Sequence, residues 1–381
     1  MRLVDADATG NYDASPAINA ILQHAVSNDP VVYIPAGTYR LDSPILVQGR
    51  GVTLRGDGVR TLLRQNFSFH GGTTTGQCVQ VMPTFGESIP LAEPVQTTNF
   101  ATVSASTVLK VARKPLAPFF VGEWLFLNNG KGGTQVLETA LGGVLKAQEF
   151  FQYAPCEYVR IKSIDVTGQL LTLETPVFDY GDYSTIGAAD TTDASALNVW
   201  RVSTPCEFCA VKDLAFATTD QFAAATIFVC SALRPTISGI TILDYPANNQ
   251  GGIGIVQSTG PVVRGVYSRS PAGIGFNSSR YGIAAENTVN EIGFEEACTD
   301  CHVDDNIIMP TTNGIGVRIG DKACRRIMIR GNTVLGAAHD YGAIGVWEGT
   351  NIMVDGNILA GPNGNVWGQL NSGNNIADAP E

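Results

Sequence analysis

The chain has 381 residues, of which 44% are apolar and only 15% are charged, and its formal net charge at pH 7 is −11. This apolar content is enough for a sizeable core, so a wholly disordered chain is excluded. No block of Lys and Arg is present, which argues against a nucleic-acid partner. No apolar run reaches the roughly 18 residues of a transmembrane helix, so we expect no membrane partner.

Glycine is frequent, with 42 residues, and this together with the low charge predicts an all-β protein with many turns. The N-terminus lacks the positively charged segment and apolar core of a signal peptide. Three alternatives follow: the chain stays inside the cell, a leader has been removed, or the chain leaves by another route, such as a virion.

Residues 4–60 carry the clearest signals of local structure. Ser15-Pro16 is typical of a helix start, and Asn28-Asp29-Pro30 predicts its end. The apolar residues between them fall on one helix face: Ile18, Ile21, Leu22 and Ala25. Short strands are predicted to follow: Val31–Ile34, Thr38–Leu41 and Gly51–Leu54.

Three motifs in this region are distinctive: Asp-Ala-Asp-Ala-Thr-Gly at 5–10, Val32–Tyr39 and Val52–Gly58. Together with the short helix they resemble the pectate-lyase-like superfamily of right-handed parallel β-helices. The resemblance implies a single-stranded right-handed parallel β-helix with an N-terminal capping helix, and it favours an extracellular or virion-associated protein. The superfamily includes lyases, hydrolases, epimerases and phage tailspikes, so the fold does not fix the chemistry.

The second half of the chain is repetitive. Ile-Gly-apolar triplets recur at 253–255, 274–276, 292–294, 315–317 and 344–346. A second apolar column follows them: Val211, Ile237, Val263, Ala284, Val303, Ile329 and Val354. This spacing fits one β-helix coil per repeat, each rising about 4.8 Å. Asparagines three residues after the last four members can hydrogen-bond along the stack: Asn287, Asn306, Asn332 and Asn357.

Residues 66–200 interrupt the repeat. Antiparallel strands are predicted there at Gly122–Leu127, Glu157–Ile161 and Leu170–Pro176. We therefore expect a small inserted β subdomain. The predicted domains are 1–65 with the capping helix and first coils, 66–200 with the insertion and the return to the helix, and 201–381 with the main coils and C-terminal tail.

The eight cysteines include two CxxC pairs, Cys206/Cys209 and Cys298/Cys301. The repeat places the pairs four coils apart, roughly 19 Å, whereas zinc–sulfur bonds are about 2.3 Å. The pairs cannot share one zinc ion, and we predict no metal site. We expect buried small apolar side chains; a disulfide, for example between Cys298 and Cys324, stays an alternative.

The repeat also predicts an almost bare outer face. The apolar residues of each triplet point inward, so the glycines point outward: Gly254, Gly275, Gly293, Gly316 and Gly345. Glycine weakens a strand, so such a column needs a reason. It is either a shallow floor for a long polymer or a close-packing surface for a loop or another subunit.

The next outward column is chemically rich: Val256, Asn277, Glu295, Arg318 and Trp347. Tryptophan offers a sugar ring an apolar face, and two carboxylates can supply the acid and base of glycoside cleavage. The catalytic candidates are Glu295, Asp340, Arg318 and His339, and the substrate-binding candidates are Asn277, Trp347, Glu348, Tyr341 and Arg280. For Glu295 and Arg318 a solvated ion pair of little energetic value is the alternative. For His339 and Asp340 it is a loop surface or a turn cap, and for Trp347 it is packing against the C-terminal tail near Trp367.

Three functions stay open at this point. The first is a polysaccharide depolymerase that hydrolyses glycosidic bonds with carboxylates. The second is a lyase that acts by β-elimination on a uronate polymer, with Arg318, His339 or Tyr341 as base; the overall acidity disfavours a polyanion unless a cation bridges. The third is a non-catalytic, tailspike-like glycan-binding module.

The partners follow from these functions. A polysaccharide is the expected partner, and no cofactor is predicted, apart from calcium if the protein is a lyase. The C-terminal segment after Asn371 has no amphipathic cap to cover the last coil. This hints at truncation, a missing partner domain or the contacts of a homotrimer.

Overall fold

The computed structural model describes residues 6–25, 30–67, 77–90, 105–129, 156–177, 197–218, 226–244, 252–295, 298–311, 314–320, 324–336, 342–347, 349–361 and 364–368. The chain forms two compact units, one of residues 1–82 with 206–381 and one of residues 83–205. The predicted catalytic residues belong to the larger unit.

The larger unit begins with a helix between short strands. The bounds are β1 Thr9–Asp13, α1 Ser15–Ala25, β2 Val31–Tyr33, β3 Gly37–Leu41, β4 Ile45–Val47, β5 Thr53–Gln65 and β6 Val79–Val81. The helix buries Ile18, Leu22 and Ala25, as its apolar face predicts. Within the described residues, no helix is long and apolar enough to cross a membrane.

The repetitive half of the chain consists of short strands. They are β13 Ala210–Thr218, β14 Ile227–Cys230, β15 Thr236–Ile242, β16 Ile253–Val256, β17 Val262–Arg264, β18 Tyr267–Ser268, β19 Ile274–Asn277, β20 Ile283–Ala285, β21 Thr288–Val289, β22 Ile292–Glu295, β23 His302–Asp304, β24 Ile307–Ile308, β25 Val317–Ile319, β26 Met328–Arg330, β27 Thr333–Leu335, β28 Ile344–Val346, β29 Met353–Asp355, β30 Ile358–Ala360 and β31 Val366–Gly368. The numbers omitted here, β7 to β12, belong to the second unit.

These strands pair in parallel to form two sheets. Sheet 1 has sixteen described strands and contains β13, β15 and the two strands that each later coil contributes. Sheet 2 has nine described strands, and their order follows the chain from one coil to the next: β4, β6, β14, β16, β19, β22, β25, β28 and β31. Parallel neighbours joined by crossovers are right-handed, and the predicted right-handed parallel β-helix with an N-terminal helix is confirmed.

The register of sheet 1 agrees with the apolar column read from the sequence. Val211 pairs with Ile237, which in turn pairs with Val263. The same column continues to Val354 through successive parallel pairs. All seven side chains are buried. The core thus lies between the sheets, where Phe276 and Phe294 stack with ring centroids 4.9 Å apart.

The predicted asparagine ladder is present at the turn within sheet 1. The Nδ2 of Asn287 donates to Oδ1 of Asn306 at 2.9 Å, and Asn306 donates to Asn332 at 2.8 Å. Asn332 continues the ladder to Asn357 at 2.9 Å. Each Oδ1 also accepts the backbone N–H of the preceding coil, at 2.9–3.0 Å. The ladder is buried, so it satisfies turn groups that water cannot reach.

We predict that Asn306→Ala lowers the free energy of unfolding by about 3 kcal/mol, because it removes one rung and leaves the Asn287 N–H without its acceptor. Urea unfolding measures this change. The matched control is Asn66→Ala, at an exposed asparagine that donates to Asp42, for which we expect a loss below about 1 kcal/mol. Equal losses for the two variants would contradict a structural role for the ladder.

The described cysteines of the helical unit are buried and are not in disulfides: Cys78, Cys206, Cys209, Cys230, Cys298, Cys301 and Cys324. The two CxxC pairs occupy equivalent positions, because Glu207 and Thr299 lie on one ladder of bridges, four coils apart. Burial raises the pKa of Cys230 to about 12. These thiols serve as small apolar core residues, as predicted, and Cys298 and Cys324 are not bonded to each other.

The second unit consists of antiparallel strands. Their bounds are β7 Thr84–Pro90, β8 Val108–Lys110, β9 Trp124–Asn129, β10 Cys156–Ile164, β11 Leu170–Leu173 and β12 Leu197–Thr204. The order within this sheet is β7-β12-β9-β10-β11-β8. β10 pairs with β9 and with β11, so the antiparallel strands predicted for the insertion are confirmed.

The first turn of the larger unit depends on an acidic side chain. The Thr9 hydroxyl and the backbone N–H groups of Thr9, Asn11 and Tyr12 donate to the Asp7 carboxylate, at 2.6–3.0 Å. These hydrogen bonds, led by that of the Thr9 hydroxyl, lower the Asp7 pKa from 3.8 to about 2.

We predict that Asp7 stabilises the fold above its ordinary pKa of 3.8 and that this contribution disappears as the pH falls to about 2. The stability difference between the parent and Asp7→Asn should therefore be constant near neutral pH and shrink across this acidic window. Thermal unfolding of both proteins as a function of pH measures it. A difference that does not change with pH would contradict the prediction.

Candidate functional site

Four of the predicted site residues lie on one face of sheet 2. Asn277 at the end of β19 pairs with Glu295 at the end of β22. Arg318 lies in β25, the next strand of the sheet, and Trp347 follows directly after β28. Residues up to 70 positions apart in the sequence thus lie along four successive strands of one sheet, because each coil places one strand beside the last.

The predicted register is wrong for Arg318. Arg318 pairs with Gly293 on one side and Gly345 on the other, so it occupies the glycine column and not the column of Glu295. Strand β25 begins at Val317, and it is Val317, not Ile315, that pairs with Ile292 of β22. The register is therefore shifted by two residues from the one that the Ile-Gly triplet predicts. Side chains alternate with a period of two, so this shift leaves Arg318 on the outer face and could not be detected from alternation alone.

Gly316 is part of the turn into the strand. A β-carbon on Gly316 would lie 2.5 Å from a methyl carbon of Val334 and 2.9 Å from the carbonyl oxygen of Ala343. Close packing thus explains this glycine. The observed glycine column runs through the following residues of sheet 2: Gly254, Gly275, Gly293, Arg318, Gly345 and Trp367.

Arg318 is held between two carboxylates. Its Nε donates to Oε1 of Glu291 at 2.9 Å, and its Nη1 contacts Oε1 of Glu295. The three side chains remain between 36% and 40% exposed, so they are accessible from solvent. One guanidinium thus fixes two carboxylates on the outer surface of sheet 2.

The charges around Arg318 also set its protonation. Partial burial alone would lower the Arg318 pKa, but the nearby charges of Glu295 and Glu291 and their hydrogen bonds raise it above its ordinary value. Arg318 therefore remains a cation. The trio of Arg318, Glu291 and Glu295 has one positive and two negative groups.

One side of this trio is nearly bare. A β-carbon on Gly275 would meet no atom within 4 Å, so the surface there is open. Gly254 precedes Gly275 in the same column. Asn277 borders this floor on the strand of Gly275, and its half-buried side-chain amide can both donate and accept hydrogen bonds.

Two tryptophans form the other end of the surface. Trp347 and Trp367 contact each other with ring centroids 5.7 Å apart and an interplanar angle of 65°. The Trp347 ring lies over Gly345, where an added β-carbon would be 3.1 Å from it. Gly345 thus leaves room for the ring, and an aromatic platform follows the charged trio.

The remaining candidates have different positions. Arg280 lies in the short segment that joins a strand of sheet 2 to the next strand of sheet 1, where single bridges connect successive coils. Its side chain is 4% exposed and lies over the ring of Tyr281. Arg280 is therefore not on the outer face of sheet 2. His339, Asp340, Tyr341 and Glu348 fall outside the described residues. Among the residues that the structure describes, no group of three or more metal-ligating side chains is present.

Glu291 and Trp367 belong to this surface but were not selected from the sequence. Glu291 stands two residues before Gly293, so its outward direction followed from the alternation. Its contact with Arg318 could not be predicted, because it depends on Arg318 lying in the glycine column. Trp367 has no Ile-Gly triplet around it, so the repeat does not predict its strand; the sequence offered it only as a packing partner of Trp347, a contact that the structure contains.

The comparisons with known proteins agree with this geometry. Residues 3–112 match the model of a family described as rhamnogalacturonase A/epimerase, pectate lyase-like. The tailspike gp61 of Pseudomonas phage phi297 has 16% sequence identity and a TM-score of 0.60, over 96% of this chain. The structural likeness supports the parallel β-helix fold of the chain, and the pectate-lyase-like match is confined to residues 3–112. It spans 60% of the length of that tailspike chain.

A second solved structure has a similar fold. PfbA, a surface adhesin of Streptococcus pneumoniae, has 10% identity and a TM-score of 0.53, over 95% of this chain and 72% of its own. No curated protein matches the chain in sequence. At these identities the structural matches establish the fold, and the chemistry depends on the residues of sheet 2.

We predict that Arg318→Gln lowers the free energy of unfolding by only about 1 kcal/mol, because half-exposed ion pairs contribute little. High salt should reduce the difference from the parent. The control is Arg264→Gln, whose guanidinium lies 3.7 Å from Glu286 and whose loss should have almost no effect. A loss above roughly 3 kcal/mol for Arg318→Gln would instead indicate a buried ion-pair network.

Proposed function

We propose that this chain is a carbohydrate-acting protein that binds a polysaccharide on the outer face of sheet 2 and cleaves its glycosidic bonds by hydrolysis. The observation that carries the proposal is the row of different surfaces on one sheet. An open floor at Gly275, the carboxylates of Glu291 and Glu295, and the pair of Trp347 and Trp367 follow one another across adjacent coils.

This row suits a sugar polymer. Neighbouring coils rise by about 4.8 Å, so five coils offer a surface long enough for several sugar units. Tryptophan rings pack against the apolar faces of sugars, while carboxylates and Asn277 bind hydroxyl groups. The family description, rhamnogalacturonase A/epimerase, supports a protein that acts on carbohydrates.

Glu295 suits the base in this reaction. Its Oε1 contacts the Arg318 guanidinium, which holds this carboxylate at the surface where it can take a proton from an attacking water. The acid must then come from a second residue. Asp340 and Glu348 are the proposed sources, and His339, Tyr341 and Arg318 are the bases of the alternative elimination reaction on a uronate polymer.

A second candidate function is glycan binding without cleavage. Both carboxylates of the trio already contact Arg318, an arrangement that a purely structural or binding role also explains. The similar fold of a surface adhesin supports this alternative. Either function suits a protein on a virion or outside the cell, which is the localisation we propose.

We also propose that the functional form is a homotrimer. Exposed apolar side chains recur along one row on the outer face of sheet 1, where Tyr267, Ile307 and Ile358 alternate with Thr288 and Thr333. Met309 and Leu335 are exposed as well. Exposed apolar patches of this kind mark interaction sites. Sedimentation of the purified chain tests the oligomeric state.

We predict that the parent cleaves at least one polymer of a broad polysaccharide panel, releases new reducing ends and forms no unsaturated uronate. The variant Glu295→Gln/Asp340→Asn should be slower by a factor of about 10² to 10⁴, because it lacks its acid and base. Reducing-end assays measure the rate, and ultraviolet absorbance detects the unsaturated products of elimination.

The matched control is Glu286→Gln, at an exposed glutamate of sheet 1 that should not affect cleavage. If the double variant cleaves as fast as the parent, these two residues are not catalytic. Products with unsaturated uronates would identify elimination. A parent that binds polymers of the panel but cleaves none would support the non-catalytic function.

A further inference from the structure

The positive charge on sheet 2 is confined to one side chain. Across its nine described strands, Arg318 is the only Lys or Arg. A polymer that lies on this face would therefore meet a single cation within the sheet. Recognition of a negatively charged sugar acid normally requires a cation, and Arg318 is the group that would have to provide it.

Arg318 is already neutralised by its neighbours. Glu291 binds its Nε and Glu295 contacts its Nη1. A uronate that binds at this guanidinium must displace one carboxylate or approach beside two others. A uronate beside Arg318 would also lie beside Glu291 or Glu295, and these like charges repel each other. Water screens this repulsion only in part, because the site is half-buried. The net charge of the trio is negative, which opposes a sugar acid.

The same atoms favour uncharged sugars. Carboxylate oxygens accept hydrogen bonds, the Asn277 amide both donates and accepts, and the guanidinium has donors beyond the two that its partners use. Sugar hydroxyl and acetamido groups also both donate and accept. The two tryptophans add an apolar surface that requires no charge on the ligand.

The charge of the whole chain strengthens this bias. The chain as a whole has a net charge of −11. Long-range electrostatics therefore repels a polyanion from the protein before contact.

We propose that the polysaccharide bound on sheet 2 is uncharged where it crosses the Glu291–Arg318–Glu295 trio, with hydroxyl or acetamido groups there and no uronate. This inference rests on the proposed function. It separates the hydrolysis of a neutral polymer from the elimination reaction, which requires a uronate. It also assigns the two glutamates a role in specificity, namely the exclusion of sugar acids.

The test is an array of purified bacterial and plant polysaccharides, divided into polymers with and without uronic acids and probed with the full chain in the presence of EDTA. The chelator removes cations that would bridge carboxylates. We expect binding to neutral polymers at least about tenfold tighter than binding to any uronate polymer at low salt. Salt should leave neutral binding nearly unchanged and should not weaken uronate binding.

The variant Glu291→Gln/Glu295→Gln releases Arg318 from its carboxylates and should increase the affinity for polygalacturonate or alginate by about tenfold or more. Adding Arg318→Gln to this variant should abolish the gain. Glu286→Gln, which removes a glutamate from sheet 1, is the matched control and should bind as the parent does. Circular dichroism and thermal unfolding confirm that each variant is folded.

The outcomes separate the two proposals. Preferential binding of the parent to a uronate polymer, or no gain of uronate binding in the folded double variant, would overturn the inference while the carbohydrate function stands. If the parent binds no polymer of either class, the proposed function fails and the inference fails with it. Neutral preference together with the gain in the double variant supports both.

Discussion

The structure depends on the parallel hydrogen bonding between successive coils. Each strand of sheet 2 pairs in register with the equivalent strand of the next coil, so that one position of the repeat becomes a straight row on the surface. Every surface property then follows from which residue occupies a row in each coil. The asparagine ladder supports this stacking at the turns, because it binds both the side chain and the backbone of the neighbouring coil.

The row that contains Gly275, Arg318 and Trp367 illustrates how function can arise on such a scaffold. Glycine leaves the sheet bare, and a single larger residue in the same row then stands above a flat surface, where it can contact side chains from the rows on either side. Arg318 reaches Glu291 and Glu295 because Gly293 lies between them and offers no side chain of its own. The bare row thus allows the charged trio to form.

The sequence was sufficient for the features that follow from periodicity. The apolar column from Val211 to Val354, the capping helix and the asparagine ladder all have a fixed spacing and a burial requirement, and the structure contains them. The strand of Arg318 was misplaced by two residues, since Ile315-Gly316-Val317 has the same letters as a true triplet. The observed register differs from the predicted one in that Gly316 packs against Val334. Val334 belongs to sheet 1, so the alternation of side chains along the strand of Arg318 could not reveal this contact.

The claim most central to this account is that a polysaccharide lies across the coils on the outer face of sheet 2. A crystal structure with an oligosaccharide cut from a polymer that the protein binds would test it most directly. The account predicts density for sugar rings over Gly275, beside Arg318 and against Trp347 or Trp367. Sugar density confined to sheet 1 or to the antiparallel unit, with the face of sheet 2 empty, would contradict it.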